Sequence, residues 1–246
     1  MRYKHFSKYL DSTYLKTEEE AGKTIKENEV KIKELVKEAI EYKFKSVMIR
    51  CKHVPLAKNI INSKKSNLKI GTVIDFPLGS SLTHEKVKEA NYAIEKGVDE
   101  IDVVIDYNAF IEKNIDKVAD DILQVSSSAL NNNKIIKWII ETAALSNNQI
   151  KKISELIRDT ITDNFSIQNK VYIKTSTGYY NQCKPNGATL ESLKIIKEFS
   201  GNLQIKASGG ISTAKKTQKM INAGASRIGT SSAKNIILGI DNKASY

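Results

Sequence analysis

Two lysines stand where a lysine is costly. Lys174 ends the short apolar run "VYIK", directly before Thr-Ser-Thr-Gly, and Lys206 sits in "LQIKAS", directly before Gly-Gly. An ammonium in a buried strand must be paired or put to use. A lysine amine attacks a carbonyl only when neutral, and partial desolvation or a second ammonium nearby lowers its pKa. Two such lysines with a carboxylate are what an imine-forming site requires. "EIDVVID" supplies the carboxylate candidate, Asp102, and "IKWIIE" adds a third strand lysine, Lys137. In a chain this rich in lysine, one such residue alone reads as incidental. Recurrence at strand ends ahead of small-residue loops carries the reading.

Successive side chains of a strand point to opposite faces. Ile101, Val103 and Ile105 share one face of "EIDVVID", with Asp102, Val104 and Asp106 on the other. Likewise Ile136, Trp138 and Ile140 oppose Lys137, Ile139 and Glu141. Val171 and Ile173 oppose Tyr172 and Lys174, and Leu203 and Ile205 oppose Gln204, Lys206 and Ser208. The apolar faces are expected against outer helices. The opposite faces then carry Asp102, Lys137, Lys174 and Lys206 into a shared interior.

Those strands belong to a series. Short β-branched runs predict strands over 9–13, 46–50, 70–76, 100–106, 135–141, 170–175, 203–207 and 226–230. Between them, amphipathic patterns predict helices over about 29–43, 54–64, 83–96, 116–130, 147–160, 189–199 and 213–223. Thr83 is the expected N-cap of its helix, and Gly97 and Gly224 are the expected stops of theirs. Such alternation without a linker predicts a single (β/α)8 TIM barrel over residues 1–246, with a short tail from about 241. A doubly wound sheet would need a Gly-rich turn after the first strand, but Thr13 is followed by Tyr-Leu-Lys-Thr-Glu-Glu. Neither GxGxxG nor GxxxxGK[ST] occurs.

Barrel active sites form at the C-terminal strand ends, where Lys174 and Lys206 fall. The last two loops carry "ASGGIS", with Gly209 and Gly210, and "GTSS", with Ser231 and Ser232. Small residues there expose backbone N–H groups at helix starts, which suits phosphate.

Composition narrows the rest. The formal charge of +11 comes from lysines spread along helices, with arginine only at Arg2, Arg50, Arg158 and Arg227. Without a recognition motif this reads as a solvated surface and not as a nucleic-acid interface. No apolar run approaches a membrane span, and Met1–Leu10 lacks a signal-peptide core. Cys51 and Cys183 lie far apart, and His5, His53 and His84 form no ligand pair. A cytoplasmic protein without a metal or other cofactor is expected.

The chain resembles the deoxyribose-phosphate aldolase family along nearly its whole length. "LDST", "GTVIDFPLGSS", "GVDEIDVVID", "KWIIETAAL", "YIKTSTGY", "GATLESLK", "IKASGGIS" and "AGASRIGTSS" follow in the family's order. The resemblance implies metal-independent, reversible cleavage of 2-deoxy-D-ribose 5-phosphate to D-glyceraldehyde 3-phosphate and acetaldehyde. It implies Lys174 as the Schiff-base lysine, Lys206 as the lysine that perturbs it, Asp102 as the proton-relay carboxylate and Asp11 as its support. Thr13, Lys137, Thr175, Gly178, Gly209, Gly210, Ser231 and Ser232 fall to substrate and phosphate binding. Tyr246, ending the "DNKASY" tail, is implied as a proton carrier that reaches the site from the chain end. A homodimer is implied, with no nucleic-acid or membrane partner. Met48, Arg50, Lys52 and Tyr179 depart from the family's usual residues. Two rival readings remain: another lysine-dependent sugar-phosphate aldolase, or a phosphosugar-binding barrel without activity.

Overall fold

The computed structural model describes residues 3–183 and 185–240. Among them, eight parallel strands close in sequence order: β1 (Leu10–Tyr14), β2 (Ser46–Ile49), β3 (Lys69–Ile74), β4 (Glu100–Val104), β5 (Ile135–Ile139), β6 (Val171–Lys174), β7 (Gln204–Ser208) and β8 (Arg227–Thr230). The ring shuts where Leu10 meets Ile228 and Asp11 meets Gly229, which leaves no sheet edge. After β1 come α1 (Glu18–Ala21) and α2 (Ile25–Glu41), after β2 comes α3 (Val54–Ser63), and after β3 comes α4 (Thr83–Lys96). α5 (Tyr107–Ile111) and α6 (Ile115–Asn131) follow β4, and α7 (Asn147–Asn164) follows β5. α8 (Leu190–Phe199), α9 (Ala214–Asn222) and α10 (Ala233–Leu238) follow the last three strands. This is the (β/α)8 barrel that the alternation predicts.

The apolar strand faces do what the pattern requires. Ile101, Val103, Ile136, Trp138, Ile173 and Ile205 join one core cluster with helix residues such as Val36, Ala93, Ile122, Ile153 and Ile196. α2 buries Ile32, Leu35, Val36 and Ala39, a spacing of three and four residues that lines one helical face. The one polar atom of Trp138 is not stranded there, because Nε1 donates to Ser126 Oγ on α6 at 3.1 Å. Thr24, Ser146 and Thr189 cap α2, α7 and α8 through their hydroxyls, fixing where each helix begins.

Several boundaries differ from the expected ones. β4 ends at Val104, so Asp106 does not continue its inner face. Asp106 instead caps α5, accepting from the Ala109 N–H at 2.9 Å, and pairs with Lys117 at 2.8 Å. β5 ends at Ile139, and Glu141 turns into the left-handed region at φ 51°. Thr83 is the first residue of α4 and not its cap; its hydroxyl donates to Asp121 Oδ1 at 2.6 Å, while Glu85 accepts from the Leu82 N–H. Short helices α1, α5 and α10 were too brief for periodicity to register. The tail expected from about 241, Tyr246 included, lies outside the described residues.

Candidate active site

Strand register assembles the site before any side chain is considered. Asp102 of β4 lies opposite Lys137 of β5, Lys174 of β6 opposite Lys206 of β7, and Lys206 opposite Arg227 of β8. Alternation sends these side chains inward, where they meet around one carboxylate. Asp102 Oδ2 accepts from Lys174 Nζ and from Lys206 Nζ, each at 2.8 Å, and Oδ1 accepts from Lys137 Nζ at 2.8 Å. Below this layer, Lys206 Nζ also reaches Asp11 Oδ2 at 2.8 Å. Gly229 makes room for it: a Cβ there would lie 3.0 Å from Lys206 Cε.

Asp102 is fully enclosed. Burial alone would raise its carboxyl, but the ammoniums of Lys137, Lys174 and Lys206 outweigh that and hold it well below the usual carboxylate range. Lys174 behaves in the opposite way. Burial lowers its amine most; Asp102 resists, the ammoniums of Lys206 and Lys137 add to the lowering, and the result is about 8. A minor neutral fraction, far larger than an ordinary lysine's, therefore exists near neutral pH, which a nucleophilic amine needs.

The loops above these strands converge. Thr175 Oγ1 donates to Ser208 O at 3.1 Å and accepts from Ser208 N at 3.0 Å, tying the ends of β6 and β7 together. Gly209, at φ 89°, packs so closely on Gly187 that a Cβ on either would lie under 3.0 Å from the other's backbone. Gly178 lies beside the same Gly209 backbone. Thr230 Oγ1 donates to Ile211 O at 2.6 Å and accepts from Ser232 N at 2.9 Å, which draws the Ser231–Ser232 loop towards Gly210. Gly178, Gly209, Gly210, Ser231 and Ser232 thus lie on loops that meet at one end of the barrel. Thr13, half-buried, donates to Asp11 O at 3.0 Å on the same side of β1.

Residues 9–239 match the DeoC/LacD family aldolase. The chain belongs to the DeoC/LacD aldolase family. It is similar to the "Deoxyribose-phosphate aldolase" of Caldicellulosiruptor saccharolyticus, 37% identical over 239 residues that cover 96% of this chain and 99% of the relative. A solved structure described as "QR15, an Aldolase" superposes with a TM-score of 0.80 at 34% identity, covering 94% of each chain. Another, a putative deoxyribose-phosphate aldolase from Coccidioides immitis, gives 0.81 at 29% identity, covering 97% of this chain and 86% of that one.

Within this aldolase, two residues expected to bind substrate also tie strands together. Lys137 is fully enclosed, and its ammonium bridges Asp102 and Glu100, each at 2.8 Å. It belongs to the interior network below the loops. The Thr175 hydroxyl is engaged both as donor and as acceptor by Ser208, so it acts as a strap between strands. The departing residues also have defined places. Met48 is buried, with its sulfur filling the space where a Cβ on Gly71 would stand. Arg50 donates to Leu15 O at 2.9 Å and Phe76 O at 3.2 Å and lies over the Phe76 ring, against whose edge Tyr179 packs. Lys52 pairs with Glu18 at 2.5 Å.

Sequence reasoning gave no role to three enclosed groups, Glu100, Arg227 and Glu141. Glu100 shares the strand parity of Asp102, which was a usable signal. Glu141 accepts from the Thr177 N–H at 3.1 Å and from its hydroxyl, so it holds the loop that follows Lys174. Burial pushes the Glu141 carboxyl up. Among the described residues, no helix is long and apolar enough to cross a membrane.

Proposed function

We propose that this chain is a deoxyribose-phosphate aldolase, cleaving 2-deoxy-D-ribose 5-phosphate reversibly in deoxyribonucleotide breakdown. The observation that carries the reading is the shared oxygen: Lys174 and Lys206 both lie 2.8 Å from Asp102 Oδ2 at the loop-bearing end of the barrel. Neutral Lys174 adds to the C1 aldehyde of the open-chain sugar, and loss of water leaves an iminium. A base then takes the C3 hydroxyl proton, and the C2–C3 bond breaks. Its electron pair passes into the iminium as an enamine, and D-glyceraldehyde 3-phosphate leaves. Protonation of the enamine at C2, followed by hydrolysis, releases acetaldehyde and returns Lys174. Asp102 and Lys206, joined through one oxygen, move these protons, with Asp11 holding Lys206 in place. The N–H groups of the converging loops around Gly178, Gly209, Gly210 and Ser231 receive the phosphate.

A coupled assay of glyceraldehyde 3-phosphate release tests the substrate. Turnover of deoxyribose 5-phosphate with none of fructose 1,6-bisphosphate is expected. The reverse preference would favour another lysine-dependent aldolase, and binding without turnover would favour an inactive phosphosugar barrel. The expected homodimer is tested by sedimentation equilibrium of the purified chain.

A further inference from the structure

The ion pairs beneath Lys174 form a closed circuit. Asp11 Oδ1 accepts from Arg227 Nε at 2.8 Å and Nη2 at 2.6 Å, and Arg227 continues to Glu100 through Nη2 at 2.7 Å and Nη1 at 3.1 Å. Glu100 passes to Lys137 at 2.8 Å, Lys137 to Asp102 at 2.8 Å, Asp102 to Lys206 at 2.8 Å, and Lys206 returns to Asp11 at 2.8 Å. The order is anion, cation, anion, cation, anion, cation. Each cation of the circuit bridges two carboxylates, and all six residues are at most 1% exposed.

Lys174 is not a member. It hangs from Asp102 Oδ2, an oxygen already serving Lys206. Among the described residues, the connected network therefore holds four cations and three carboxylates. The closed circuit is neutral by itself, and protonated Lys174 adds one uncompensated charge to an enclosed, weakly screened interior.

We propose that this alternating circuit sets the charge state of the Schiff-base lysine, and that Glu100 and Arg227 are positioning residues for the reaction although neither touches Lys174. The inference rests on the reading of Lys174 as the imine-forming residue. The groups facing Lys174 are Asp102 from β4, Lys137 from β5 and Lys206 from β7, with Glu141 acting from the loop end of β5. Behind them, Asp11, Glu100 and Arg227 complete the circuit from β1, β4 and β8. No ion pair joins Glu141 to the circuit among the described residues, and its carboxyl acts on Lys174 only from longer range. Removing one member unbalances the circuit in a direction fixed by that member's sign. Glu100→Gln leaves a net positive circuit and makes the Lys174 amine easier to deprotonate. Arg227→Gln leaves a net negative circuit and makes it harder. Arg227→Lys keeps the charge and much of the reach.

The test is the pH dependence of borohydride trapping of acetaldehyde on Lys174, read by peptide mass mapping. The midpoint should fall by about one pH unit in Glu100→Gln and rise by about one in Arg227→Gln, the scale of a unit charge acting across a partly screened interior. Arg227→Lys should stay within a few tenths of a unit of the unaltered enzyme. A purely structural role for the pair would move both glutamine variants alike or neither, and that result overturns the proposal. If Arg227→Gln does not fold, Glu100→Gln and Arg227→Lys still decide it. If none of the variants folds, nitrogen-15 NMR of labelled lysines in the unaltered enzyme decides. One enclosed ammonium, assigned to Lys174, should titrate near 8 while Lys137, held up by Asp102 and Glu100, keeps its proton. Titration of Lys137 before Lys174 would contradict the circuit. Absence of any trapping on Lys174 in the unaltered enzyme would instead reject the functional reading itself.

Discussion

The barrel wall contains a second cluster of buried lysine and carboxylate, and comparing it with the barrel interior shows what makes a lysine reactive. Lys86 of α4 is fully enclosed, as Lys174 nearly is. Its ammonium meets Asp121 at 2.6 Å, the Val104 carbonyl at 3.3 Å and Asp75 at 3.6 Å. Lys117 shares Asp121 at 3.3 Å and holds Asp106 at 2.8 Å. Three carboxylates thus surround two ammoniums. In the interior the ratio is reversed, and Lys174 shares its single carboxylate oxygen with Lys206. Burial is common to both lysines. What separates them is whether acceptors outnumber cations, so Lys86 is a clasp between α4, β4 and α6 whereas Lys174 is left with a charge it can lose.

Three substitutions test that contrast. The largest effect is expected from Lys174→Met, which removes the nucleophile and should lower turnover by at least ~10⁴-fold, whereas Lys86→Met should change turnover per folded molecule little. Turnover measured on protein shown to be folded by circular dichroism checks both. Lys206→Leu comes next, with a fall of about 10²-fold, the scale of a lost acid–base group. Steady-state kinetics at saturating substrate would show it, and near-normal turnover would remove Lys206 from the relay.

Stability should reverse the ranking. Lys86→Met leaves Asp121 buried with a weakened set of partners and should cost about 3 kcal/mol, as broken buried pairs do. Lys174→Met removes the surplus cation and should cost less than about 1 kcal/mol. Urea unfolding of the two variants gives the comparison directly. Equal losses would mean that both lysines are structural.

A pH trend offers a further check. Lys174 has a folded-state pKa of about 8, below the ordinary value near 10.5. Between those two values the unfolded chain binds more protons than the native one, so Lys174's contribution to stability rises with pH through that window. The difference in unfolding free energy between the unaltered chain and Lys174→Met should grow in the chain's favour from pH 8 towards 10. A flat difference would mean that burial does not depress the amine.

Much of this site was legible because a strand's two-residue period is strict. Asp102, Lys137, Lys174 and Lys206 were assigned to one interior by alternation alone, and register then places them in contact. Other features depend on information the period does not carry. Asp106 has the inward parity but follows the last residue of β4, where the chain turns to start α5. Thr83 looks like a cap, yet its hydroxyl is drawn to Asp121, 38 residues away. The pairing of Asp11 with Arg227 arises only when β8 closes on β1, across 216 residues. Lys137 had the right face, but its ion pair with Glu100 depends on its height in the barrel, which the period does not carry.

Imine formation is expected at Lys174 and at no other lysine. The most direct measurement is incubation of the purified chain with acetaldehyde and sodium borohydride, followed by proteolysis and mass mapping. One reduced ethyl adduct per chain is expected, on the peptide carrying Lys174, with its yield rising through pH 8. An adduct on Lys206, Lys137 or a surface lysine, or none at all, would contradict it.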